Sequence, residues 1–460
     1  MNSYAISQQI KRITGVAPDT EHYRHVEQWE SWWRGCYMPF HTFGEADGSG
    51  GVIQRRLYTM RMAKKVCEDW AAILLNERTR LCVHDEKGDA FVQGGGDGGV
   101  LGRSDFWTQA NALIEKAFCT GTGAIVVRLS GMAADELGNV RPDGAAEVSL
   151  EFLTAKSIFP ISFKEGRLTE AGFASEVTVK GERFVYLELH LLGADGYVIQ
   201  NAFFTDKNGA LFPCSLPEGI AARVSTGSRT PLFAIVRPNI VNNVDSAGAM
   251  GVSVFANAID NLMGVDLAYN NFCRDFKLGG KKVFINKELT KMITDASGRQ
   301  RFLPPDDVAQ QLFLQTGDDM PGDAPLIHEH NPELRVPENV QGIQAQLDYL
   351  AFKCGFGCRH YRFDGGRAVT ATEYSGERQE LIQNAAKHSL IVRRAITDTV
   401  RAILWAGRNV LGLDVNENAE ITVTPDDSFV TDKLAERERD LKEVELGVLT
   451  RDEYREKWVI

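Results

Sequence analysis

The side chains able to do chemistry are few and poorly partnered. Cys354, Cys358 and His360 offer three ligands to a soft divalent metal. Structural zinc takes four, usually opening with a C-x2-C knuckle, and no second pair lies nearby, so small residues in a turn after a helix are expected instead. His328, Glu329 and His330 fall in a proline-rich stretch that reads as loop. A hydrolase zinc site needs its histidines four apart on a helix, so this trio is expected at the solvated surface. Gly121-Thr122-Gly123 precedes an apolar strand, whereas a phosphate loop follows a strand and opens a helix. These glycines predict a helix stop. No G-x-x-x-x-G-K-S/T and no G-x-S-x-G elbow occurs. Trp29, Trp32 and Trp33, at helical spacing, predict a packing face or a subunit contact rather than a carbohydrate platform. No catalytic residue, cofactor or metal is expected.

Bulk composition bounds what remains. The chain has 460 residues, 43% hydrophobic and 25% charged, enough apolar material for two or three packed units. No apolar run reaches the roughly 18 to 20 residues that span a bilayer. None follows Lys11 and Arg12 either, so no membrane segment or signal peptide is expected. Eight scattered cysteines fit reduced thiols in a cytosolic compartment. The net charge of −11 argues against a broad grip on nucleic acid, which favours a basic surface. It is compatible with DNA that slides past an acidic wall, because cationic phosphate contacts would act as a brake.

Periodicity places the elements. Residues 56–80 carry Leu57, Met60, Ala63, Val66, Trp70, Ile73 and Leu74 at helical spacing. A second helix at 104–118 has Ser104 or Asp105 placed to cap it. From 125 to about 236 short strands follow, with hairpins at Lys180-Gly181 and Ala194-Asp195-Gly196. After a proline and asparagine linker at 237–245, residues 251–276 read as a long amphipathic helix. Phe255, Ile259, Met263 and Phe272 lie on its apolar side, Asp266 and Asn270 on the polar remainder. Lys281 and Lys282 lead into a strand at 283–285 within a loop-rich insert, 277–336, of limited core. A helix at 337–354 runs into Gly355-x-Gly357. A longer one at 373–410 opens where a threonine can cap and Glu373 favours the positive helix end. Between them, the loop 358–370 carries Arg359, Arg362 and Arg367 with Asp364 the nearest acid, and Gly365-Gly366 make its tip mobile. A charged helix at about 431–446 and a capping box at Thr450 and Glu453 end the chain. The class is α+β.

The early W-x2-W-W-R-G with Tyr37, then MAKKVCEDWAAILLNE, CTGTGAIVV, GVSVFANAIDNLMGVDLAYNNFCRDFKLGGKKVFI, YLAFKCGFG and AVTATEYSGER, in this order and spacing, resemble the portal proteins of long-tailed bacteriophages. The resemblance covers most of the chain. It implies a mixed α/β wing at 1–248, a first stem helix at 249–276, a small α/β clip at 277–336 and a second stem helix at 337–357. A tunnel loop at 358–371, a long wing helix and β segment at 372–432 and a helical crown at 433–460 would complete the portal fold.

The same resemblance implies a closed ring of about twelve copies at one capsid vertex. The ring would conduct double-stranded DNA without sequence preference. Implied partners are the terminase large subunit, a head–tail adaptor, and the major capsid and scaffold proteins, with assembly in the host cytoplasm and residence in the virion. Carried onto this sequence, Arg359, Arg362, Asp364, Gly365, Gly366 and Arg367 would face the DNA. Lys281 and Lys282 would lie on the docking surface of the clip, and Phe255, Ile259, Met263 and Phe272 would pack the stem between subunits. Two such apolar stripes around a thin insert are not expected to be buried by one chain alone. Two other classes compete. A monomeric minor capsid or scaffold protein is separated by mass in solution. A nucleic-acid enzyme with a helical insertion needs a carboxylate, metal or phosphate constellation that the sequence lacks.

Overall fold

Burial of aromatic and aliphatic stripes decides where the chain turns helical. In the computed structural model, helix α1 (Ser3–Thr14) is capped by Asn2, whose side chain accepts the Ala5 N–H at 3.2 Å, and buries Ile6 and Ile10. Helix α2 (His22–Trp33) buries Tyr23, Val26, Trp29 and Trp32, so the tryptophan group is a packing face within the chain. The structure describes residues 2–46, 51–94, 98–134, 139–217, 219–245, 248–286, 291–294, 298, 300–303, 312–315, 327–363, 371–426, 440–444, 446, 450 and 454–455.

A short helix α3 (Met38–His41) opens an antiparallel pair, β1 (Thr42–Ala46) and β2 (Val52–Arg56). Helix α4 (Met62–Leu74) starts later than its apolar pattern predicts. The N–H groups of Tyr58 and Met60 donate instead to Asn270 and Asp266, and tertiary hydrogen bonds override local propensity there. Strand β3 (Arg80–Val83), α5 (Glu86–Val92), α6 (Val100–Arg103) and α7 (Phe106–Thr120) follow. Asp105 stands at the start of α7 but with φ 45° and no capping bond, so neither expected cap operates. Gly121, at φ 84°, stops α7 as expected, and a Cβ there would collide with the Gly251 carbonyl.

Strand β4 (Gly123–Ser130) leads through the small pair β5 (Ala133–Ala134) and β6 (Val140–Arg141) to β7 (Glu147–Thr154). A longer meander follows: β8 (Ile158–Lys164), β9 (Arg167–Val179), β10 (Glu182–Gly193), β11 (Gly196–Lys207), β12 (Ala210–Cys214) and β13 (Arg223–Ser225). Its sheet runs β12-β11-β10-β9-β8, with β13 on β11 and the two expected hairpin turns in place. Strand β14 (Phe233–Val236) returns beside β4, giving a second antiparallel sheet, β14-β4-β7. The main core joins this sheet to the helices, and a smaller one lies under α1 around Phe159, Leu187 and Leu189.

After the linker the chain makes α8 (Ile259–Leu278), β15 (Lys282–Asn286), β16 (Lys291–Thr294), β17 (Gln300–Leu303), β18 (Leu312–Gln315) and β19 (Ile327–His330). Then come α9 (Val336–Lys353), α10 (Ala371–Asn409) and β20 (Ile421–Thr424), which pairs with β3. The described residues of the insert between α8 and α9 include five strands. Strand β15 lies parallel to β18 and antiparallel to β19, with β16–β17 a hairpin. His328, Glu329 and His330 therefore sit on a strand, not in a loop, because β15 offers them a ladder. Most of the expected carboxy-terminal helices and the capping box at 450–453 lie outside the described residues. The fold is α+β.

The linker is seated by a histidine that must stay neutral. His388 on α10 is buried, and its Nδ1 accepts the Asn239 N–H at 2.9 Å. Burial first, and then the Lys387 charge, push its pKa down to about 4. A folded value below the unfolded one favours the neutral ring. Its contribution is therefore complete above about pH 6.5 and shrinks by about 3 kcal/mol as pH falls toward 4. Thermal unfolding followed between pH 7 and 4.5 should show this loss, and His388→Gln should flatten it. An equally steep profile in the variant would assign the acid sensitivity elsewhere.

Candidate functional site

Helices α8 and α9 form an antiparallel pair. Arg335 Nη2 donates to both Asp275 carboxylate oxygens at 2.9 Å, and Asn339 Nδ2 adds 2.8 Å to one of them, locking the outer end. Leu262 and Val265 of α8, with Ile343, Leu347, Leu350 and Ala351 of α9, are buried. Much of both apolar stripes thus finds cover inside one chain, although Phe276 near the end of α8 is 50% exposed. Phe255 is buried in the protomer's own core, in the turn before α8. Ile259, Met263 and Phe272 are half-buried against the same core. The helix begins later than its periodicity predicts because Gly251 and Val254 are already committed. Their N–H groups donate to Thr122 Oγ1 and to the Phe118 carbonyl, both at 2.9 Å.

A second apolar set on this pair has no cover. Tyr349 is 61% and Phe352 52% exposed on α9, and Leu267 and Leu278 are 46% and 51% exposed on α8. At about 100° per residue, Ala345, Tyr349 and Phe352 lie opposite Leu347, and Leu267, Arg274 and Leu278 lie opposite Val265. The pair presents one side to the body of the chain and leaves these four large apolar side chains on the other.

The loop after α9 is pinned at its base. Gly355 and Gly357, at φ 85° and 81°, end the helix as expected. Phe356 stacks between Trp70 (4.7 Å, 23°) and His360 (4.4 Å, 14°). Trp70 Nε1 donates to the Cys354 carbonyl at 3.1 Å, Asn384 Nδ2 to Gly355 at 3.0 Å, and Gln344 Nε2 to Tyr361 at 2.8 Å. His360 Nε2 lies 3.8 Å from Asp69 Oδ2. Burial raises the Asp69 pKa, but the nearby His360 ring and the bond and charge of Lys65 outweigh it and hold the carboxyl below its usual range. Arg359, at φ 77°, and Arg362 are exposed at either end of this anchored segment.

Asp364, Gly365, Gly366 and Arg367, the expected tip, lie outside the described residues. In the insert, exposed Lys281 pairs with Glu329 at 3.0 Å; the Lys282 backbone belongs to β15, and its side chain lies outside the description. Cys354 is buried and Cys358 exposed, so the sulfurs of that trio do not converge. Among the described residues no group of three His, Cys, Asp or Glu side chains is placed to hold a metal, and no helix is long and apolar enough to cross a membrane.

Two buried polar networks escaped the sequence. Asp266 and Asn270, expected on the solvated side of α8, are 3% and 6% exposed. Asp266 faces His41 Nε2 at 3.0 Å, Thr59 Oγ1 at 2.9 Å and the Met60 N–H at 2.8 Å, fastening these three residues to α8. The second network joins the sheets. Arg128 of β4 bonds Glu151 Oε2 at 2.8 Å through Nε and also bonds Glu188 of β10, while lying 4.8 Å from the Tyr186 ring centroid. Glu188 also meets His190 Nε2 at 2.6 Å. Burial raises the Glu188 pKa, but Arg128 and His190 overcome it and hold the carboxyl at about 2. The only sequence signal was a charge inside each apolar run.

No family model matches the chain, and no curated protein matches it. Among solved structures, a chain from the neck of an empty GTA particle computed with C6 symmetry aligns with 98% of this chain and 92% of its own length. The identity is 13% and the TM-score 0.35. A likeness that distant carries no argument about function.

Proposed function

We propose that this chain is one subunit of a bacteriophage portal, a closed ring at a capsid vertex that conducts double-stranded DNA. The observation that carries the reading is the α8–α9 pair. Its buried seam fixes the two helices on the body, and its outward face leaves Leu267, Leu278, Tyr349 and Phe352 exposed. Large apolar side chains left exposed on a helix pair offer an interaction surface. A head-to-tail contact that closes on itself makes a ring of one chain. The element order supports the same reading: two antiparallel helices bracketing a small stranded insert, an arginine-bearing loop, then the long α10. The stranded insert would dock the terminase and later the head–tail adaptor. Arg359 and Arg362, repeated around the ring, would touch phosphates weakly enough to permit sliding.

The subunit is no enzyme on this reading, and the motor is another chain. Purified protein should turn over ATP at background, with DNA-dependent turnover and packaging appearing only when terminase is added. Saturable, salt-resistant binding to one DNA sequence, or ATP hydrolysis by the pure protein, would contradict the proposal. Lys281→Glu with Lys282→Glu should leave assembly intact, because the exposed Lys281–Glu329 pair contributes about 1 kcal/mol or less. Terminase affinity should weaken about tenfold if these lysines meet an acidic partner. Unchanged packaging and head–tail joining would remove them from the docking surface.

A further inference from the structure

We propose that Asp69 is a positioning residue for the arginine loop, clamping the loop base through His360 and Tyr361. The role in DNA conduction rests on the portal reading; the clamp itself rests on local geometry alone. Asp69 sits on α4, far from the loop in sequence. One of its carboxylate oxygens is engaged by Lys65, a helical turn earlier. The other, Oδ2, is buried and faces His360 Nε2 at 3.8 Å. Tyr361 is 8% exposed, and its hydroxyl has no hydrogen-bond partner among the described residues, nor does Asp69 Oδ2. A buried donor and a buried acceptor therefore stand on the two sides of the junction between loop and helix. Buried groups of this kind are rarely left unpaired without a purpose.

The sequence alternation gives the clamp its effect. Arg359 and Arg362 are exposed, and the two residues between them, His360 and Tyr361, turn inward. Fixing the inward pair fixes the direction of the outward pair. His360 is further held by stacking on Phe356, which itself stacks on Trp70, the residue after Asp69 on α4. A loop that touches passing phosphates lightly must keep its cations in place, and a supported base achieves this. Without the clamp, Arg359 and Arg362 lose their fixed direction and their common level around the channel.

The test uses the full-length protein in its native assembly and follows trypsin cleavage after Arg359 and Arg362. Asp69→Asn should speed cleavage about tenfold by raising the population of the open loop, with the urea unfolding midpoint unchanged. Asp69→Glu should restore slow cleavage. His360→Gln should act like Asp69→Asn, and the double variant should be no faster than either single one, because the two act through one contact. His360 is 24% exposed, so its variant keeps the test available if Asp69→Asn does not fold. Cleavage unchanged in both single variants, or effects that multiply in the double variant, would overturn the clamp. A wild-type protein that never conducts DNA would overturn the portal reading while leaving the cleavage result standing. Slow, unchanged cleavage in a DNA-conducting ring would overturn the clamp alone.

Discussion

Arg128→Met should destabilise the protein by about 3 to 5 kcal/mol, because it strands a buried carboxylate. Glu188 is 4% exposed and depends on the guanidinium for its charge. Glu151, the second acid in contact, would lose the same partner. The Arg128 fork bonds both acids, with Tyr186 beneath it, so Arg128→Lys should recover only part of the loss, since an ammonium cannot span the two carboxylates. Replacing Glu188 by Gln together with Arg128→Met should cost less than Arg128→Met alone, because no unpaired charge remains. Urea unfolding midpoints check all three variants. A loss under about 1 kcal/mol for Arg128→Met would show that solvent reaches the network and screens it. Acid acts on the same node in a defined window. The folded Glu188 pKa is depressed, so its contribution is complete above about pH 4.5 and is lost as pH falls toward 2. That window lies below the one governed by His388.

The second large effect is on assembly. Tyr349→Asp combined with Phe352→Asp should abolish ring formation while leaving the protomer folded. Both side chains are more than half exposed in one chain, so their replacement costs the monomer within about 0.5 kcal/mol. In a subunit contact each would bury an unpaired charge, at several kcal/mol per copy. Phe255→Asp makes the opposite prediction. Its ring is fully buried in the protomer, so the variant should fail to fold rather than fold without assembling. Sedimentation and circular dichroism together separate the two cases. Normal rings from the double aspartate variant would mean that this face meets solvent or DNA and that subunits join elsewhere.

Much of the architecture was legible where the apolar pattern ran unbroken. Helices α9 and α10 begin and end within about two residues of their periodic runs, and the hairpins at Lys180-Gly181 and Ala194–Gly196 fall where the turn residues put them. The misses share a cause, which is capture by distant partners. Helix α8 starts late because Thr122 and Phe118 take the donors of Gly251 and Val254. Helix α4 starts late because Asp266 and Asn270 take those of Met60 and Tyr58. Those two acceptors were in turn misplaced on the solvent side of α8, since a polar residue at helical spacing reads as solvated until its partner is known. The site was legible as composition rather than as geometry. Arg359 and Arg362 stood out as the loop's cations, but Asp69, Trp70 and Asn384, which hold the loop base, lie on other helices and carry no local mark.

If the working unit is a closed ring, the mass of the purified wild-type particle will show it. One chain weighs 51.0 kDa. Sedimentation velocity across micromolar concentrations, with end-on views by electron microscopy, should give a particle of about twelve chains around an open centre. A single species at the mass of one chain throughout that range would contradict the account and favour a monomeric minor capsid or scaffold protein.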